Sequence, residues 1–400
     1  MARIWFPRAS QRYARSPCGA ELQDFADWLD HVGYSRDNIE GHLRRLFVAL
    51  SHSRGATRTR GWSPAELRQL FARYCASTRR SHAFRATERV YRRFLACRGR
   101  LIPSASTDPT EPLQRRYRDY LCEVRGFVTS TAETHLSTVQ DFLKDALRSE
   151  RSLETLEAAD VERYLAKRSR TITRQTLQHV IAHLRGFLRY GFTAGLVHRH
   201  LDQIDTPRTY RAELPPRALP WTQVVALLRS VDRSSKAGWR DAAILHLMAY
   251  YGLRASEIAA LRLDAIDWHS ATVRITQRKT RSDLMLPLAP ATLTLLRGYL
   301  KHERGTCALP YLFLRVRRPT GPLQHYAVCD IFSKRAALSG LDLDGYASYS
   351  LRHSFAMRLL GRNVGVKAIG DLLGHRSLEA TCVYLRLDTT ALRSVGLPLP

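Results

Sequence analysis

The chain has 400 residues, of which 44% are hydrophobic, so it can bury sizeable cores and should divide into two or three domains. A single small domain is excluded. Lysine and arginine together number 63 against 36 acidic residues, and the resulting formal charge of +27 predicts a polyanionic partner, namely nucleic acid.

The seven cysteines are scattered and contain no C-x-x-C pair, which is unlike a disulfide framework or a zinc site. No apolar run approaches the roughly 18 residues of a membrane-spanning helix. The first residues, MARIWFPRASQRYAR, also lack the apolar core of a secretory signal. We therefore expect a cytoplasmic protein that works at the nucleoid without membrane contact.

Two segments rich in proline, serine and threonine predict linkers, the first at Pro103 to Pro112 (PSASTDPTEP) and the second at Thr206 to Pro220. They divide the chain into three parts. The predicted boundaries are an N-terminal helical module over 1–105, a second helical module over 106–205, a linker over 206–220 and a third part over 221–400.

The first part matches the second when it is shifted by 93 residues. At that offset Gly33 falls on Gly126 and Arg92 falls on Arg185, and one extra residue in the middle keeps the remaining apolar positions aligned. We interpret the match as a diverged internal duplication. The alternative is that any two helical bundles rich in leucine and arginine align at some offset.

The middle part carries apolar residues at helical spacing, for example Leu136, Val139, Phe142 and Leu143. Several such segments follow one another between the two linkers. A small all-α bundle of about four helices is the simplest interpretation.

The third part mixes two kinds of pattern. Helical spacing covers Trp221 to Val231 and Ala242 to Leu253, whereas Thr272 to Leu288 alternates like a β-hairpin. Helices then resume and include Val366 to Leu373, which Gly374 closes. The predicted fold is mainly α with one small antiparallel β-sheet, in which an α+β third part follows one or two all-α bundles.

Five features occur in order within the third part. They are YGLRASEIAAL with Arg254 and Glu257, the hairpin loop QRKTRSD with Lys279, YSLRHSFA with Tyr349, Arg352 and His353, LLGH with His375, and finally Tyr384. In this order the chain resembles the catalytic domain of tyrosine recombinases, the phage integrase family. That family's pattern is Arg, a hairpin Lys, His-x-x-Arg, His or Trp, and Tyr.

The resemblance covers about 180 residues well and extends loosely to the middle bundle, which looks like the family's SAM-like core-binding domain. It implies a site-specific recombinase or integrase that cuts and rejoins DNA through a 3′-phosphotyrosine, with no metal and no cofactor. The implied partners are double-stranded DNA, further copies of the chain in a tetramer on paired sites, and in some systems a partner recombinase. It also suggests a mobile element such as a phage or transposon, although chromosome-resolution enzymes share the same motifs.

Arg254 and Arg352 are the candidate phosphate clamps. A phosphodiester under attack spreads negative charge over its equatorial oxygens, and guanidinium groups offer paired N–H donors to those oxygens. Arg254 also follows the apolar stretch AAILHLMAYYGL, which should be buried, and an unpaired cation is costly there.

Lys279 at the hairpin tip is the candidate acid for the departing 5′ oxygen, because an arginine with a pKa above about 12 cannot readily give up a proton. His375 lies in a tight turn after Gly374 and is expected to bond the phosphate and handle protons. Tyr384 is the candidate nucleophile. We expect it two turns into a helix that Ser377 caps.

Two further residues are supporting candidates. Glu257 lies on the same helix face as Arg254 and either orients that arginine or only balances its charge. His353 adjoins Arg352 and points about 100° away around the helix, which favours a supporting or packing role over direct catalysis.

The chain departs from the family pattern at Tyr349, which stands where the first residue of His-x-x-Arg belongs. A tyrosine there can donate one hydrogen bond to a phosphate oxygen but cannot carry positive charge. We expect it to take over the donor role of the histidine.

Two alternatives remain open at this level. A type IB topoisomerase shares the attacking tyrosine and the cationic clamp but relaxes DNA and acts alone. The non-enzymatic alternative is a recombinase remnant that binds DNA without cutting it. In that case Tyr349 is the first sign of the lost activity.

Overall fold

The computed structural model describes residue 13 and the ranges 15–51, 61–76, 81–102, 110–147, 152–209, 216–277, 282–317, 320–375 and 377–385. The chain forms two compact units. One joins Met1–Ile102 with Leu214–Pro400, and the other is Pro103–Glu213. Over the described ranges no helix is both long and apolar enough to cross a membrane.

The first hundred residues contain four helices in their described part, which bury a shared apolar core. The helices are α1 (Gly19–His31), α2 (Arg36–Ser51), α3 (Pro64–Ala76) and α4 (Ser81–Cys97). Helix α3 begins with a reciprocal cap, because the Glu66 backbone N–H donates to Ser63 Oγ at 3.2 Å and the Ser63 N–H donates to a Glu66 carboxylate oxygen at 2.9 Å. This capping fixes where α3 starts.

The second unit is also a helical bundle, as the apolar spacing predicts. Its helices are α5 (Glu111–Asp119), which a π-helical turn continues over Tyr120–Val124, α6 (Thr129–Ala146), α7 (Ala158–Ser169) and α8 (Arg174–Thr193). Pro112, assigned to the first linker by composition, instead lies in the first turn of α5, where a missing N–H costs no helical hydrogen bond. The rest of that linker, 103–109, lies outside the described residues.

The two bundles repeat their helix spacing. Helices α2, α3 and α4 begin at Arg36, Pro64 and Ser81, and α6, α7 and α8 begin at Thr129, Ala158 and Arg174, so equivalent helices start 93, 94 and 93 residues apart. Gly33 and Gly126, one offset apart, both have positive φ, at 83° and 64°. These similarities support the duplication and the three-part division, which stay predictions.

The third part combines helices with a small sheet, and this confirms the predicted fold class. Its elements are α9 (Trp221–Arg229), α10 (Gly238–Tyr251), α11 (Ala255–Ala260), β1 (Ile266–Asp267), β2 (Thr272–Gln277), β3 (Ser282–Pro287), α12 (Pro290–Tyr299), α13 (His325–Ser339), α14 (Ser348–Leu360), α15 (Val366–Leu373) and α16 (Glu379–Cys382). The strands pair antiparallel in the order β1-β2-β3.

The predicted hairpin is β2 and β3, in which Val273 pairs with Leu286 and Ile275 with Leu284. Val273, Ile275 and Leu286 are buried in the main core of this part, so the alternating residues face inward as expected. The tip between Gln277 and Ser282 lies outside the described residues.

The expected position of Tyr384 is wrong. Helix α16 is only four residues long and ends at Cys382, so Tyr384 follows it in a turn, where its backbone N–H donates to the carbonyl of Thr381 at 3.0 Å. Leu378, not Ser377, occupies the capping position of that helix. The helix is too short to hold the tyrosine by helical geometry, so tertiary contacts position the ring.

Candidate active site

Two glycine turns shape the candidate site. Gly252 ends α10 at φ 62° and Gly374 ends α15 at φ 59°, both in the left-handed region that glycine enters without strain. Neither position has room for a side chain, because a Cβ would lie 2.6 Å from the Phe355 ring in the first case and 2.0 Å from the Gln277 amide in the second. The two turns therefore bring backbone carbonyl groups close to the candidate arginines.

Arg254 is held from two sides. Its Nη1 donates to Glu257 Oε1 at 2.6 Å, while its Nη2 donates to the carbonyl of Gly374 at 3.2 Å. The other oxygen of Glu257 accepts the Arg254 backbone N–H at 2.8 Å. The Glu257 side chain is 4% exposed and that of Arg254 is 15% exposed, so the guanidinium is oriented but still open to solvent. Glu257 thus both orients Arg254 and balances its charge.

Arg352 is more deeply buried, with 2% of its surface exposed. Its Nη1 donates to the carbonyl of Gly252 at 2.6 Å and its Nη2 donates to the carbonyl of Leu373, while its Nε has no partner among the described residues. Burial and the neighbouring Arg254 lower the pKa of this guanidinium. One side chain therefore ties the end of α10 to the end of α15, and its buried Nε–H has no partner among the described residues.

His375 lies directly after the second glycine turn, as predicted. Its Nδ1 is 2.7 Å from Thr381 Oγ1, and its backbone N–H donates to the carbonyl of Gly370 at 2.9 Å. Burial, followed by the charges of Arg352 and Arg254, lowers its pKa to about 4. The ring is therefore neutral at neutral pH, and its orientation is fixed by Thr381.

Tyr384 is 2% exposed and its hydroxyl oxygen lies 2.9 Å from His353 Nδ1. Its ring stacks with that of His375 at a centroid distance of 6.4 Å. Burial raises the pKa of its phenol to about 12, and Arg352 and Arg254 act in the opposite direction. A phenol whose pKa is raised in this way is protonated at pH 7, so attack needs a proton acceptor.

His353 is the candidate proton acceptor, because its Nδ1 lies next to the Tyr384 hydroxyl group. Burial and the adjacent Arg352 lower its pKa to about 4, which leaves the ring neutral and able to accept a hydrogen bond. Its position in the sequence suggested a supporting or packing role, whereas the structure places its Nδ1 directly on the Tyr384 hydroxyl group. Arg352 and His353 point in different directions around their helix, but this does not prevent a residue from elsewhere in the chain, here Tyr384, from contacting His353.

Tyr349 lies at the edge of the same group. Its ring meets the His353 ring edge-on at 4.7 Å, and it is 46% exposed. Its phenol is close enough to Arg352 and Tyr384 to affect the pKa of both. A hydroxyl in this place can reach a bound ligand from the solvent side.

The structure therefore brings together seven of the eight residues singled out in the sequence, which are Arg254, Glu257, Tyr349, Arg352, His353, His375 and Tyr384. Lys279, the eighth, lies outside the described residues. Sequence reasoning missed Thr381 and the two glycine carbonyl groups. The polar Thr381 between His375 and Tyr384 was the available signal, whereas no side chain marks a backbone carbonyl group that accepts a hydrogen bond.

The arrangement is a pair of cationic side chains beside a buried phenol. Two guanidinium groups, two neutral imidazoles and one tyrosine can bind a tetrahedral or trigonal-bipyramidal anion and move a proton. Among the residues that the structure describes, no three His, Cys, Asp or Glu side chains are grouped to hold a metal ion.

Two family models match the chain. The phage integrase family model matches residues 217–390, and the model of the phage integrase N-terminal SAM-like domain matches residues 115–195. The first range contains every residue of the candidate site, and the second falls within the helical bundle of the second unit.

Among proteins of similar sequence, the provisionally named integrase/recombinase y4rF of Sinorhizobium fredii is 32% identical over 98% of this chain and 93% of its own length. Tyrosine recombinase XerD of Listeria monocytogenes serovar 1/2a is 27% identical over 69% of this chain and 94% of its own length.

Two solved structures share the fold. A lambda integrase (residues 75–356) dimer bound to a COC′ core site has a TM-score of 0.52 at 18% identity and covers 72% of this chain and 96% of its own. The Tn1549 transposon integrase (residues 82–397) in complex with circular intermediate DNA has a TM-score of 0.52 at 13% identity and covers 68% of this chain and 94% of its own.

Proposed function

Because the chain belongs to the tyrosine recombinase (phage integrase) family, and so is a tyrosine-type site-specific DNA recombinase, we propose that it cuts and rejoins DNA strands through a covalent 3′-phosphotyrosine on Tyr384. The proposal rests on the position of the Tyr384 hydroxyl group. This group contacts His353 Nδ1, and the charges of Arg352 and Arg254 act to lower its pKa. A nucleophile, a proton acceptor and two phosphate clamps thus occupy one site.

The proposed step balances as follows. The Tyr384 oxygen attacks the phosphorus, the bond from phosphorus to the 5′ oxygen breaks, and the strand ends become a 3′-phosphotyrosine and a free 5′-hydroxyl. The phenolic proton passes to His353 Nδ1, and Lys279 gives a proton to the departing 5′ oxygen. Attack by that hydroxyl group on the phosphotyrosine reverses the step, so no external energy source is needed.

Charge stabilisation comes from the protein itself. The Arg254 side chain is partly exposed beside the glycine turn, and Arg352 has a buried Nε–H with no partner in the described part of the chain. Donors of this kind are most effective when they are already oriented before the transition state forms. His375, fixed by Thr381, adds a neutral donor. We therefore propose chemistry that needs no metal and no cofactor.

The acceptor role of His353 can be tested with His353→Asn, because an asparagine oxygen can occupy the Nδ1 position and accept a hydrogen bond but cannot take a proton. We expect cleavage to slow by about 100- to 10,000-fold, the range for losing a general base. Single-turnover cleavage at saturating protein measures it. A wild-type rate for the Asn variant would reduce His353 to packing.

The expected pH dependence of the cleavage rate follows from the pKa of His353. Since a base must be neutral and the pKa of His353 is lowered to about 4, this group is competent above about pH 5 and is lost as the pH falls through 4. The wild-type rate should therefore decline from pH 5 to 4, and the decline should be shallower in His353→Asn. His375, whose pKa is also about 4, remains in both proteins and accounts for the residual decline.

Tyr349 is proposed as the donor that replaces the family's histidine. Tyr349→Phe keeps the ring contact with His353 and removes only the hydroxyl group, so we expect cleavage to slow roughly 10- to 1,000-fold. Tyr349→His should retain or raise the rate, since an imidazolium donates and adds charge. Cleavage by the Phe variant at the wild-type rate would assign the donor to another residue.

The covalent step is testable without knowing the target sequence. A pool of nicked duplexes with randomised sequence releases a short fragment on cleavage, which traps the enzyme on DNA. Adducts that survive SDS would support the proposal, and sequencing them would identify the target. No adduct from any sequence would favour the DNA-binding remnant.

The proposed partners are double-stranded DNA and further copies of this chain. The lambda integrase neighbour is a dimer on its core site, which supports a multimer here, and we propose a tetramer on paired sites, with or without a partner recombinase. The bundle over 106–205 is the proposed core-binding domain, and 221–400 the catalytic domain. A topoisomerase-like enzyme would instead relax supercoiled DNA as a monomer.

A further inference from the structure

Helix α4 carries four arginines on one face. Arg85, Arg89, Arg92 and Arg93, here called the α4 stripe, follow the helical spacing i, i+4, i+7 and i+8, and all four are exposed. The opposite face of α4 buries apolar residues in the core of the bundle, including Tyr91 and Phe94. The stripe therefore lies on the outer surface, where packing does not require arginine.

The α4 stripe is not neutralised by its surroundings. None of its arginines forms an ion pair with any residue in the described ranges, and the helix contains a single acidic residue, Glu88. Arginines just beyond the end of α4 differ, since Arg98 pairs with Asp24 and Arg100 pairs with Glu21. Asp24 and Glu21 thus pair with arginines beyond the end of α4, while the α4 stripe keeps its positive charge.

The second bundle uses the equivalent face differently. At the 93-residue offset, Arg85 corresponds to Gln178 and Arg92 to Arg185 on α8. Gln178 donates to the carbonyl of Pro207 at 2.8 Å, and Arg185 donates to the carbonyl of Ile204. The chain after α8 therefore covers part of that face, at Gln178 and Arg185.

After α4 the chain takes another course. It turns at Gly99 (φ 65°) and pairs with Trp62, whose backbone N–H donates to the carbonyl of Arg100 at 2.9 Å. Because this course leads away from the helix, no described segment covers the α4 stripe. A face that is covered in one bundle is open and basic in the other.

We propose that the α4 stripe binds the sugar–phosphate backbone of duplex DNA, as a second contact in addition to the core-binding domain. The inference rests on the proposed function, which supplies DNA as the polyanion. The stripe spans nine residues, or about 12 Å of helix, alongside about seven phosphate charges of a duplex. Guanidinium groups bind phosphate oxygens through paired N–H donors, and the contact requires no particular base sequence.

The test is the salt dependence of binding to linear duplex DNA of mixed sequence, measured with the full chain. Removing two phosphate contacts should reduce the slope of log K against log salt by about 1.8. For the double variant Arg89→Gln with Arg92→Gln, the affinity lost between 50 and 200 mM salt should therefore shrink about tenfold. Glutamine is a good helix former, so α4 should remain intact, which thermal melting will check.

The matched control is Arg44→Gln with Arg68→Gln, which removes the same charge from exposed positions on α2 and α3 of the same bundle. Its salt slope should stay at the wild-type value. An equal change in both pairs would show that only the overall charge matters and would overturn the proposal. An unchanged slope in the stripe variant together with weaker multimer formation would overturn it in favour of a protein partner.

The salt measurement does not depend on cleavage. Trapping of covalent adducts on the nicked pool is therefore followed separately, in the wild-type protein at low salt. If the wild-type protein forms no adduct, the proposed function is contradicted. If the salt slope of the stripe variant equals the wild-type slope, only the role of the α4 stripe is contradicted.

Discussion

Replacing Tyr384 with phenylalanine is expected to abolish the covalent protein–DNA adduct while DNA affinity stays near the wild-type value. The substitution removes one buried oxygen, which is the proposed nucleophile, and leaves the basic surface unchanged. The Tyr384 hydroxyl group contacts His353 Nδ1 at 2.9 Å, so its removal leaves that nitrogen without its partner. The expected cost is a small change in stability, about 1 kcal/mol.

The measurement is the amount of SDS-resistant adduct on nicked DNA, with affinity followed separately by a gel-shift assay. Tyr326→Phe is a suitable control, because Tyr326 is 60% exposed in the same part of the chain and lies outside the site. That variant should form adduct at the wild-type level. Adduct formation by Tyr384→Phe would mean that another residue is the nucleophile.

Replacing Arg352 with lysine should reduce cleavage by about 1,000-fold or more even though the positive charge is retained. The guanidinium donates to two carbonyl groups, those of Gly252 and Leu373, and its buried Nε–H finds no partner within the described ranges. A single ammonium group cannot hold both carbonyls and offer the paired donors that a phosphate accepts. Folding should also suffer, by about 1–3 kcal/mol for each buried carbonyl left unpaired.

The loss of stability must be separated from the loss of chemistry, and Arg335→Lys serves as the control. Arg335 is buried in the same part of the chain, and it pairs with Asp241 at 2.7 Å, away from the candidate site. Its replacement should lower the melting temperature but preserve the cleavage rate of the folded protein. If Arg352→Lys behaves in the same way, Arg352 is a structural residue and Arg254 is the only clamp of the two.

The sequence by itself determined which candidate side chains this protein has and in which order they follow one another. The ordered series Arg254, Arg352, His375 and Tyr384 was sufficient to indicate the family, because it resembles the order of the tyrosine recombinase pattern, and phosphoryl transfer to a tyrosine explains why those side-chain types are needed together. Local patterns also located the β2–β3 hairpin and the glycine that ends α15. Such features depend on neighbouring residues, so one sequence is enough to find them.

The tertiary structure decided which of these residues meet. The contact of His353 with Tyr384 spans 31 positions, and the bond from Arg254 to Gly374 spans 120. Neither follows from periodicity, because the direction of a side chain toward a distant partner depends on how helices pack. The position of Tyr384 in a turn after α16 has the same cause.

The two helical bundles also separate what the sequence predicts from what the tertiary structure decides. The sequence predicts that both are helical and spaced alike, and the arginines of α4 are visible in it. Only the folded chain shows that Gln178 and Arg185 bond to the segment that follows α8 while the α4 stripe remains uncovered. The physical reason is that exposure depends on where the next segment of chain packs, and the burial of apolar surface in the whole unit decides that course.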